Sequence, residues 1–279
     1  MMHKIYPSAA LAVCLVFGLP ATAEPLDAVC VTESFKDATL SFTVPGRIVK
    51  ILHREGRRVT AGTPLVELEN EVEALEVERR YLIWQDKSDL EAARAQNETF
   101  KVLLDSTRGL FESTGSVSRE DLYKMELEYN ASLAEYRRLV IAEQREEVEH
   151  KLAQANLAQR TLKAPFDGTI VDVMLDEGEI CEAYQPLLQL VDVTRGFLVC
   201  NIEEPVGRLL SENTPLPFEI PAGVGGLSGE ASVVYVAPVV DPASGLLRVR
   251  LQFDNPGGVV KPGVPGYVTL DPQALSGSD

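Results

Sequence analysis

GRIVKILHREGRRVTAGTPLVEL, residues 46–68, recurs as GTIVDVMLDEGEICEAYQPLLQL, residues 168–190. The two copies align without a gap and are identical at nine positions, including the turn glycines Gly56 and Gly178. Each copy combines β-branched residues, a Glu-Gly turn and a Pro-Leu-x-x-Leu strand, which is typical of short strands separated by tight turns. Because half a β-unit cannot bury its own apolar face, we expect the two copies to form one domain.

The chain between the copies has no proline from Asn70 to Arg160 and is rich in good helix formers. Both of its ends must return to the same domain, so we predict an antiparallel α-helical hairpin over residues 70–161 with its tip at about 113–118. Gly115 should end the first helix, and Ser118 with Asp121 resembles a capping box at the start of the second. Each helix would hold about 43 residues and be about 65 Å long.

Apolar residues at helical spacing predict how the two helices pack. The second helix carries a stripe from Leu122 to Val140, and the first carries four leucines at heptad spacing. These leucines are Leu75, Leu82, Leu103 and Leu110. We interpret both sets as packing between the helices rather than as a ligand site.

The remaining chain can be divided around the repeat. Residues 24–69 are predicted to hold an N-terminal strand and the first half-motif, and residues 162–193 the second half-motif. Residues 194–271 contain several short strands separated by Pro and Gly turns, which indicates a small β-barrel. Residues 272–279 are predicted to be a disordered tail.

The first 23 residues have the features of a secretory signal peptide. A short apolar run ends in Ala21-Thr22-Ala23, the small residues that a signal peptidase reads, so we expect cleavage after Ala23. The run holds about a dozen residues, whereas a membrane span needs about 20. Neither Cys14 nor Cys30 is placed as a lipidation site would require, so we expect an unacylated periplasmic protein.

Charge and cysteine content limit the classes of function. A net charge of −16 and a pI near 4.7 argue against nucleic acid as a partner. Cys30, Cys181 and Cys200 remain after processing, so at most one disulfide can form within the chain. A Cys30–Cys200 disulfide is a hypothesis, because sequence alone does not fix the connectivity.

No residue pattern predicts a catalytic, cofactor-binding or metal-ligating site. His53 and His150 have no nucleophile setting around them, and the cysteines lack paired ligand spacing. A covalent carrier domain would need a lysine at the junction of the half-motifs, but Glu69-Asn70-Glu71 stands there. We therefore expect a protein that is not an enzyme and needs no cofactor.

Three stretches resemble the HlyD-type and RND-type periplasmic adaptors, also called membrane fusion proteins. They are TLSFTVPGRIV at 39–49, LKAPFDGTIV at 162–171, and APVVDPAS at 237–244. The resemblance implies a lipoyl-like barrel-sandwich hybrid split by the α-hairpin and followed by a β-barrel. A fourth, membrane-proximal domain of the family is expected to be absent or vestigial.

The resemblance also implies partners. An adaptor joins an inner-membrane transporter, here expected to be of the RND type rather than the ABC type, to an outer-membrane channel similar to TolC. It assembles as a homo-oligomer, a trimer or hexamer. The alternative from the sequence is a periplasmic coiled-coil scaffold or chaperone that is not tied to a transporter.

The hairpin tip is the predicted contact with the outer-membrane channel. Adaptors of TolC-like channels often carry an Arg, a Leu four residues later and a Ser seven residues after that. Counting back from Ser118 gives Phe111 and Thr107, with Leu110 and Arg108 displaced by one, so the motif is partial. The predicted contact residues are Arg108, Leu110, Phe111, Val117 and Ser118.

Overall fold

The structure is a computed structural model that describes residues 26–224 and 226–271. The predicted signal peptide and the tail from residue 272 lie outside the described residues. In chain order the strands are β1 (Leu26–Leu40), β2 (Gly46–Ile51), β3 (Arg58–Val59), β4 (Pro64–Leu68), β5 (Thr161–Lys163), β6 (Gly168–Val173), β7 (Ile180–Cys181), β8 (Leu188–Glu203), β9 (Pro215–Ile220), β10 (Leu227–Val236), β11 (Leu246–Asp254) and β12 (Pro265–Leu270). The helices are α1 (Glu71–Gln85), α2 (Ser88–Thr114), α3 (Arg119–Ala158) and the short α4 (Glu204–Gly207), with 3-10 turns at Ala222–Val224 and Pro256–Gly258.

The described chain divides into two compact units. The repeat unit consists of residues 36–192, and the barrel unit consists of residues 26–35 together with 193–271. The division falls within residues 24–69, the segment predicted to hold an N-terminal strand and the first half-motif. The start of β1 pairs with β12, from Leu26 opposite Leu270 to Val31 opposite Pro265, because the backbone groups of a barrel strand need partners on both sides.

Both sequence repeats contribute to one core in the repeat unit. Its buried residues come from equivalent positions of the two copies, such as Leu65 with Leu187 and Leu68 with Leu190. The strands also cross between the copies, since β2 pairs with β7 and β3 pairs with β6. Neither copy could form these ladders alone, which explains why the chain must return after the insert.

The Glu-Gly turns of the two copies have the same backbone geometry and the same hydrogen bond. Gly56 and Gly178 have φ angles of 77° and 93°, in the left-handed region that favours glycine. The Gly56 amide donates to the Ile170 carbonyl at 2.8 Å, and the Gly178 amide donates to the Ile48 carbonyl at 2.8 Å. These donors and acceptors occupy equivalent positions in the two copies, so each copy makes the same hydrogen bond to the other.

The insert between the copies is helical, but its first half is broken. We predicted one continuous helix up to Gly115, whereas the structure has α1 and α2 separated at Asp86 and Lys87. The Asp86 carboxylate accepts hydrogen bonds from the Ser88 amide at 3.1 Å and the Ser88 hydroxyl at 2.6 Å. A short acidic side chain that binds the following backbone competes with the helical ladder, which accounts for the break.

Helix α3 runs antiparallel to α1 and α2, as its cross-helix partners show. The contacts progress in opposite directions along the two sides: Arg80 with Glu149, Lys87 with Glu143, Asn97 with Ser132, and Arg108 with Glu126. At 40 residues, α3 is about 60 Å long. No helix within the described chain is both long enough and apolar enough to cross a membrane.

The predicted seam on the first half of the hairpin is wrong. All four of its leucines are exposed, namely Leu75, Leu82, Leu103 and Leu110. The buried residues of α2 are instead Ala93 and Leu104. The break at Asp86 interrupts the heptad phase that the prediction assumed to be continuous, so the face that meets α3 is shifted.

The barrel unit is a closed ring of strands in the order β1-β12-β9-β10-β11-β8, with β8 also paired to β1. Buried and outward residues alternate along β9, β11 and β12, with every second side chain of β9 buried. The inward side chains form one apolar core that includes Leu198, Ile220, Leu251 and Val268. The outward side chains are therefore available as a surface.

Candidate functional site

The loop at the hairpin tip is fixed by a cap on each side. Gly115 follows α2 with a φ of 65°, and its amide donates to the Leu110 carbonyl at 3.1 Å. Ser118 is the N-cap of α3: its hydroxyl oxygen accepts from the Asp121 amide at 3.1 Å. The Ser118 hydroxyl also donates to the Asp121 carboxylate at 2.6 Å. The tip is thus a capped turn. The N-cap half of the predicted capping box is present, but the Asp121 carboxylate accepts from the Ser118 hydroxyl rather than from the Ser118 amide.

The structure brings the five predicted contact residues to this end of the hairpin, but they differ in exposure. Leu110 is 49% exposed, whereas Phe111 and Val117 are half-buried. Arg108 is held across the hairpin by an ion pair with Glu126 at 3.1 Å. Leu110 is therefore the most exposed apolar side chain among these residues, while Phe111 also takes part in packing the tip.

Hydroxyl groups near the tip are occupied by the backbone. Thr107 donates to the Leu103 carbonyl at 2.8 Å, Ser113 to the Gly109 carbonyl at 2.6 Å, and Thr114 to the Leu110 carbonyl at 2.9 Å. Because these hydroxyl groups already donate to the backbone, they cannot donate the same proton to a partner. The tip can therefore offer an apolar contact at Leu110 between otherwise satisfied polar groups.

The cysteines are placed as one pair and one single thiol. Cys30 and Cys200 are buried in the barrel core and form a disulfide with a Cα–Cα distance of 4.2 Å. Cys181 is a free, fully buried thiol in the repeat unit. Burial raises the pKa of the Cys181 thiol, so it stays protonated and unreactive.

The sequence did not indicate an aromatic cluster at the break between α1 and α2. His150 is buried against Trp84, with ring centroids 5.3 Å apart and an interplanar angle of 17°, and Tyr81 lies 5.5 Å from His150. Lys87 lies over the Trp84 ring at 5.3 Å. The i, i+3 spacing of Tyr81 and Trp84 predicts that their rings are neighbours on one helix. Their contact with His150 depends on how α1 aligns with α3, which the spacing does not show.

The described residues contain no group of three or more His, Cys, Asp or Glu side chains arranged to hold a metal ion. Most shifted carboxyl pKa values belong to exposed ion pairs on the helices. Hydrogen bonds from Arg79 and Arg80, for example, lower the pKa of Glu76 to about 2. These groups lie along the rod of the hairpin and do not converge on a cleft.

Comparison with known proteins agrees with this architecture. Residues 199–274 match the CusB-like β-barrel domain family. The putative membrane fusion protein SilB of Salmonella typhimurium is 27% identical over 114 residues, which cover 41% of this chain and 26% of SilB. The family match thus lies in the barrel unit of this chain.

Two further likenesses extend over most of this chain. The nodulation protein NolF of Rhizobium meliloti is 25% identical over 231 residues, covering 81% of this chain and 58% of NolF. The crystal structure of MacA from Actinobacillus actinomycetemcomitans has a TM-score of 0.63 at 18% identity, covering 88% of this chain and 78% of that chain. The likeness to MacA concerns the fold alone. The chain spans little more than half the length of NolF and about half of another curated relative.

Proposed function

We propose that this protein is a periplasmic adaptor of a tripartite efflux or secretion system, which bridges an inner-membrane transporter and an outer-membrane channel. The observation that carries the proposal is the combination of parts in one chain. A repeat core with a helical hairpin about 60 Å long is joined to a barrel that matches the CusB-like family. A rod with a capped tip suits an adaptor that must reach a distant partner.

Several finer features belong to the same proposal. The paired half-repeats act as a lipoyl-like barrel-sandwich hybrid, and adaptors assemble as a trimer or hexamer. The inner-membrane partner is of the RND type rather than the ABC type, since the matched barrel family carries the CusB-like description. The channel is similar to TolC. The protein works in the periplasm after cleavage behind Ala23, without a lipid anchor, and it performs no chemistry itself.

The scaffold-or-chaperone alternative has less support. A helical rod alone would serve a scaffold, but neither the split repeat nor the barrel would be needed for that role. The matches to the CusB-like barrel and to SilB favour the adaptor.

The tip assignment can be tested with Leu110→Asp. Leu110 is 49% exposed on α2, so a charge there should leave the fold intact while disfavouring an apolar contact. Leu82→Asp is the matched control, because Leu82 is also an exposed leucine of the hairpin but lies on α1, far from the tip. Phe111 is half-buried and is unsuitable for this test, since a charge there would also disturb the packing of the tip.

Tagged protein should be isolated from its native envelope after reversible crosslinking, and its partners identified by mass spectrometry. The wild type and Leu82→Asp should recover both an inner-membrane transporter and an outer-membrane channel. Leu110→Asp should retain the transporter and lose most of the channel. Recovery of unfolded client proteins without a transporter would favour the chaperone alternative, and full recovery of the channel by Leu110→Asp would remove the tip assignment.

A further inference from the structure

The disulfide of this protein does not join cysteines that are neighbours in the sequence. Three cysteines follow the predicted cleavage site, and the disulfide joins the first of them, Cys30, to the last, Cys200. Cys181 lies between these two in the sequence and is a free, buried thiol. The chain therefore has three ways to form one internal disulfide, and two of them are wrong.

Loop closure in the unfolded chain favours a wrong pair. Cys181 and Cys200 are 19 positions apart, whereas Cys30 and Cys200 are separated by 170. Because the entropic cost of closing a loop of n residues rises as (3/2)RT ln n, the Cys181–Cys200 contact forms about 30-fold more often than the native contact. The Cys30–Cys181 loop is also slightly shorter than the native loop, so the native contact is the least frequent of the three.

Burial of Cys181 cannot protect its thiol when that part of the chain is first exported. The core that covers Cys181 includes Leu187, Leu188 and Leu190, which all follow it in the sequence. In an export that begins at the amino terminus, Cys30 and Cys181 are therefore both exposed for an interval before Cys200 arrives. Cys30 also stays exposed until β1 pairs with β12, the last strand of the barrel.

Neither wrong pair is compatible with the folded protein. Cys181 is fully buried in the core of the repeat unit, whereas Cys30 and Cys200 are buried in the core of the barrel unit. A disulfide holds its two sulfur atoms about 2 Å apart, which side chains enclosed in two separate cores cannot reach. A mispaired chain therefore keeps at least one unit unfolded, with its apolar residues exposed.

We propose that this protein is a substrate of a periplasmic thiol–disulfide isomerase, which converts a disulfide of Cys181 into the native Cys30–Cys200 pair. The proposal rests on the periplasmic location proposed above and is independent of any transporter or channel. The mispaired chain suits such an enzyme, because its disulfide stays accessible and its apolar residues stay exposed. The native product is protected from further attack, since Cys30 and Cys200 are only 1% and 0% exposed.

Two exchange reactions account for the native product. A thiol oxidase first oxidises two cysteine thiols of the chain to the Cys181–Cys200 disulfide, and its own disulfide is reduced to a dithiol. A thiolate of the isomerase then attacks the Cys200 sulfur and releases the Cys181 thiolate, which takes up a proton. The Cys30 thiolate attacks the same Cys200 sulfur, forms the native disulfide and releases the isomerase thiolate, so the isomerisation consumes no oxidant.

The test compares the full chain made in cells with and without the periplasmic isomerase. Shortly after a pulse of synthesis, thiols are quenched with acid and alkylated, and the disulfides are mapped by mass spectrometry without reduction. With the isomerase, the Cys30–Cys200 pair should predominate. Without it, most of this pair should be lost, and disulfides of Cys181 should accumulate in its place.

Two variants separate the competing thiol from the stability of the core. Cys181→Ala should form the Cys30–Cys200 pair fully without the isomerase, because this pair is then the only internal one possible even if folding is impaired. Val59→Ala is the matched control, since Val59 occupies the position of Cys181 in the first repeat copy and is buried in the same core. It keeps all three thiols and should depend on the isomerase as strongly as the wild type.

The outcomes distinguish this inference from the proposed location. Full formation of Cys30–Cys200 by the wild type without the isomerase would overturn the inference and show that burial of Cys181 alone directs the pairing. A Cys181→Ala variant that still needs the isomerase would also overturn it. If the wild type carries no disulfide even in cells that have both enzymes, the periplasmic location fails first, and the inference fails with it.

Discussion

The disulfide between Cys30 and Cys200 should be a major source of stability for the barrel unit. It joins β1 to β8 across the closure of the ring, and the two cysteines are separated by 170 positions in the sequence. The perturbation is the double variant Cys30→Ala, Cys200→Ala. It frees β1, which is otherwise held by its pairing with β12 and with β8.

The loss in the free energy of unfolding depends on whether the chain enclosed by the disulfide unfolds with the barrel. If all 170 enclosed positions unfold, the chain-entropy relation gives a loss of about 5 kcal/mol in the free energy of unfolding. If the repeat unit stays folded, only the short segments on either side of it are flexible, and the same relation gives about 3 kcal/mol. With a urea dependence of about 2 kcal/mol per molar, this loss corresponds to a midpoint about 1.5–2.5 M lower.

The assay must follow the two units separately. The chain has one tryptophan, Trp84, and it lies on α1 in the repeat unit, so its fluorescence reports that unit alone. Hydrogen exchange of peptides from β9 to β11 reports the barrel. We expect the double variant to lower the urea midpoint of the barrel peptides and to leave the Trp84 transition near its wild-type position.

Cys181→Ala is the control for loss of a buried thiol, because Cys181 lies in the core of the repeat unit. It should move the Trp84 transition and not the barrel peptides. An unchanged barrel midpoint in the double variant, or a wild-type protein whose Cys30 and Cys200 are both free under non-reducing mass mapping, would refute the reasoning.

Three further predictions concern the repeat unit. Cys181 should resist alkylation in the native protein at neutral pH, since burial blocks access and raises its pKa, and it should react fully in denaturant; rapid native labelling measured by mass spectrometry would contradict this. Leu104→Ala should cost about 2–5 kcal/mol in the free energy of unfolding followed by circular dichroism, because Leu104 is buried, whereas Leu103→Ala, at a residue 44% exposed, should change it little. The pKa of Glu76 is lowered to about 2, so its contribution to stability should be complete above about pH 4.5 and be lost as the pH falls toward 2. Glu76→Gln should remove this part of the pH dependence of stability. If the variant loses stability in acid as steeply as the wild type, the bonds from Arg79 and Arg80 to Glu76 do not cause it.

The features that the sequence predicted best are those fixed by local chemistry. The turn glycines Gly56 and Gly178 require a backbone that few other residues adopt, and their repetition identified the paired core. Gly115 and Ser118 set the ends of the hairpin helices through caps that involve only nearby residues. Pro and Gly turns likewise indicated short strands, such as β11, after the second half-motif.

The features that the sequence did not predict depend on distant parts of the chain, or on competition between a side chain and the backbone hydrogen bonds of a helix. The break at Asp86 arises from hydrogen bonds to Ser88, and it moves the buried face of α2 from Leu103 to Leu104. Placement of Leu26–Phe35 in the barrel depends on β12, at the other end of the described chain.

The same is true of the candidate sites. The exposure of Leu110 and the half-burial of Phe111 follow from the turn at Gly115, but their difference could not be read from residue type.

The pairing of β1 with β12 has a consequence for the order in which the protein acquires its structure. Leu26 lies opposite Leu270, so the ring cannot close until nearly the whole described chain has been synthesised and delivered. The repeat unit is enclosed within that interval and can fold earlier from contiguous residues. Until closure, β1 is an unpaired edge with alternating apolar residues, which is the kind of segment that aggregates. A chaperone that holds the emerging amino-terminal strand should therefore improve the yield of folded protein more than one that acts on the hairpin.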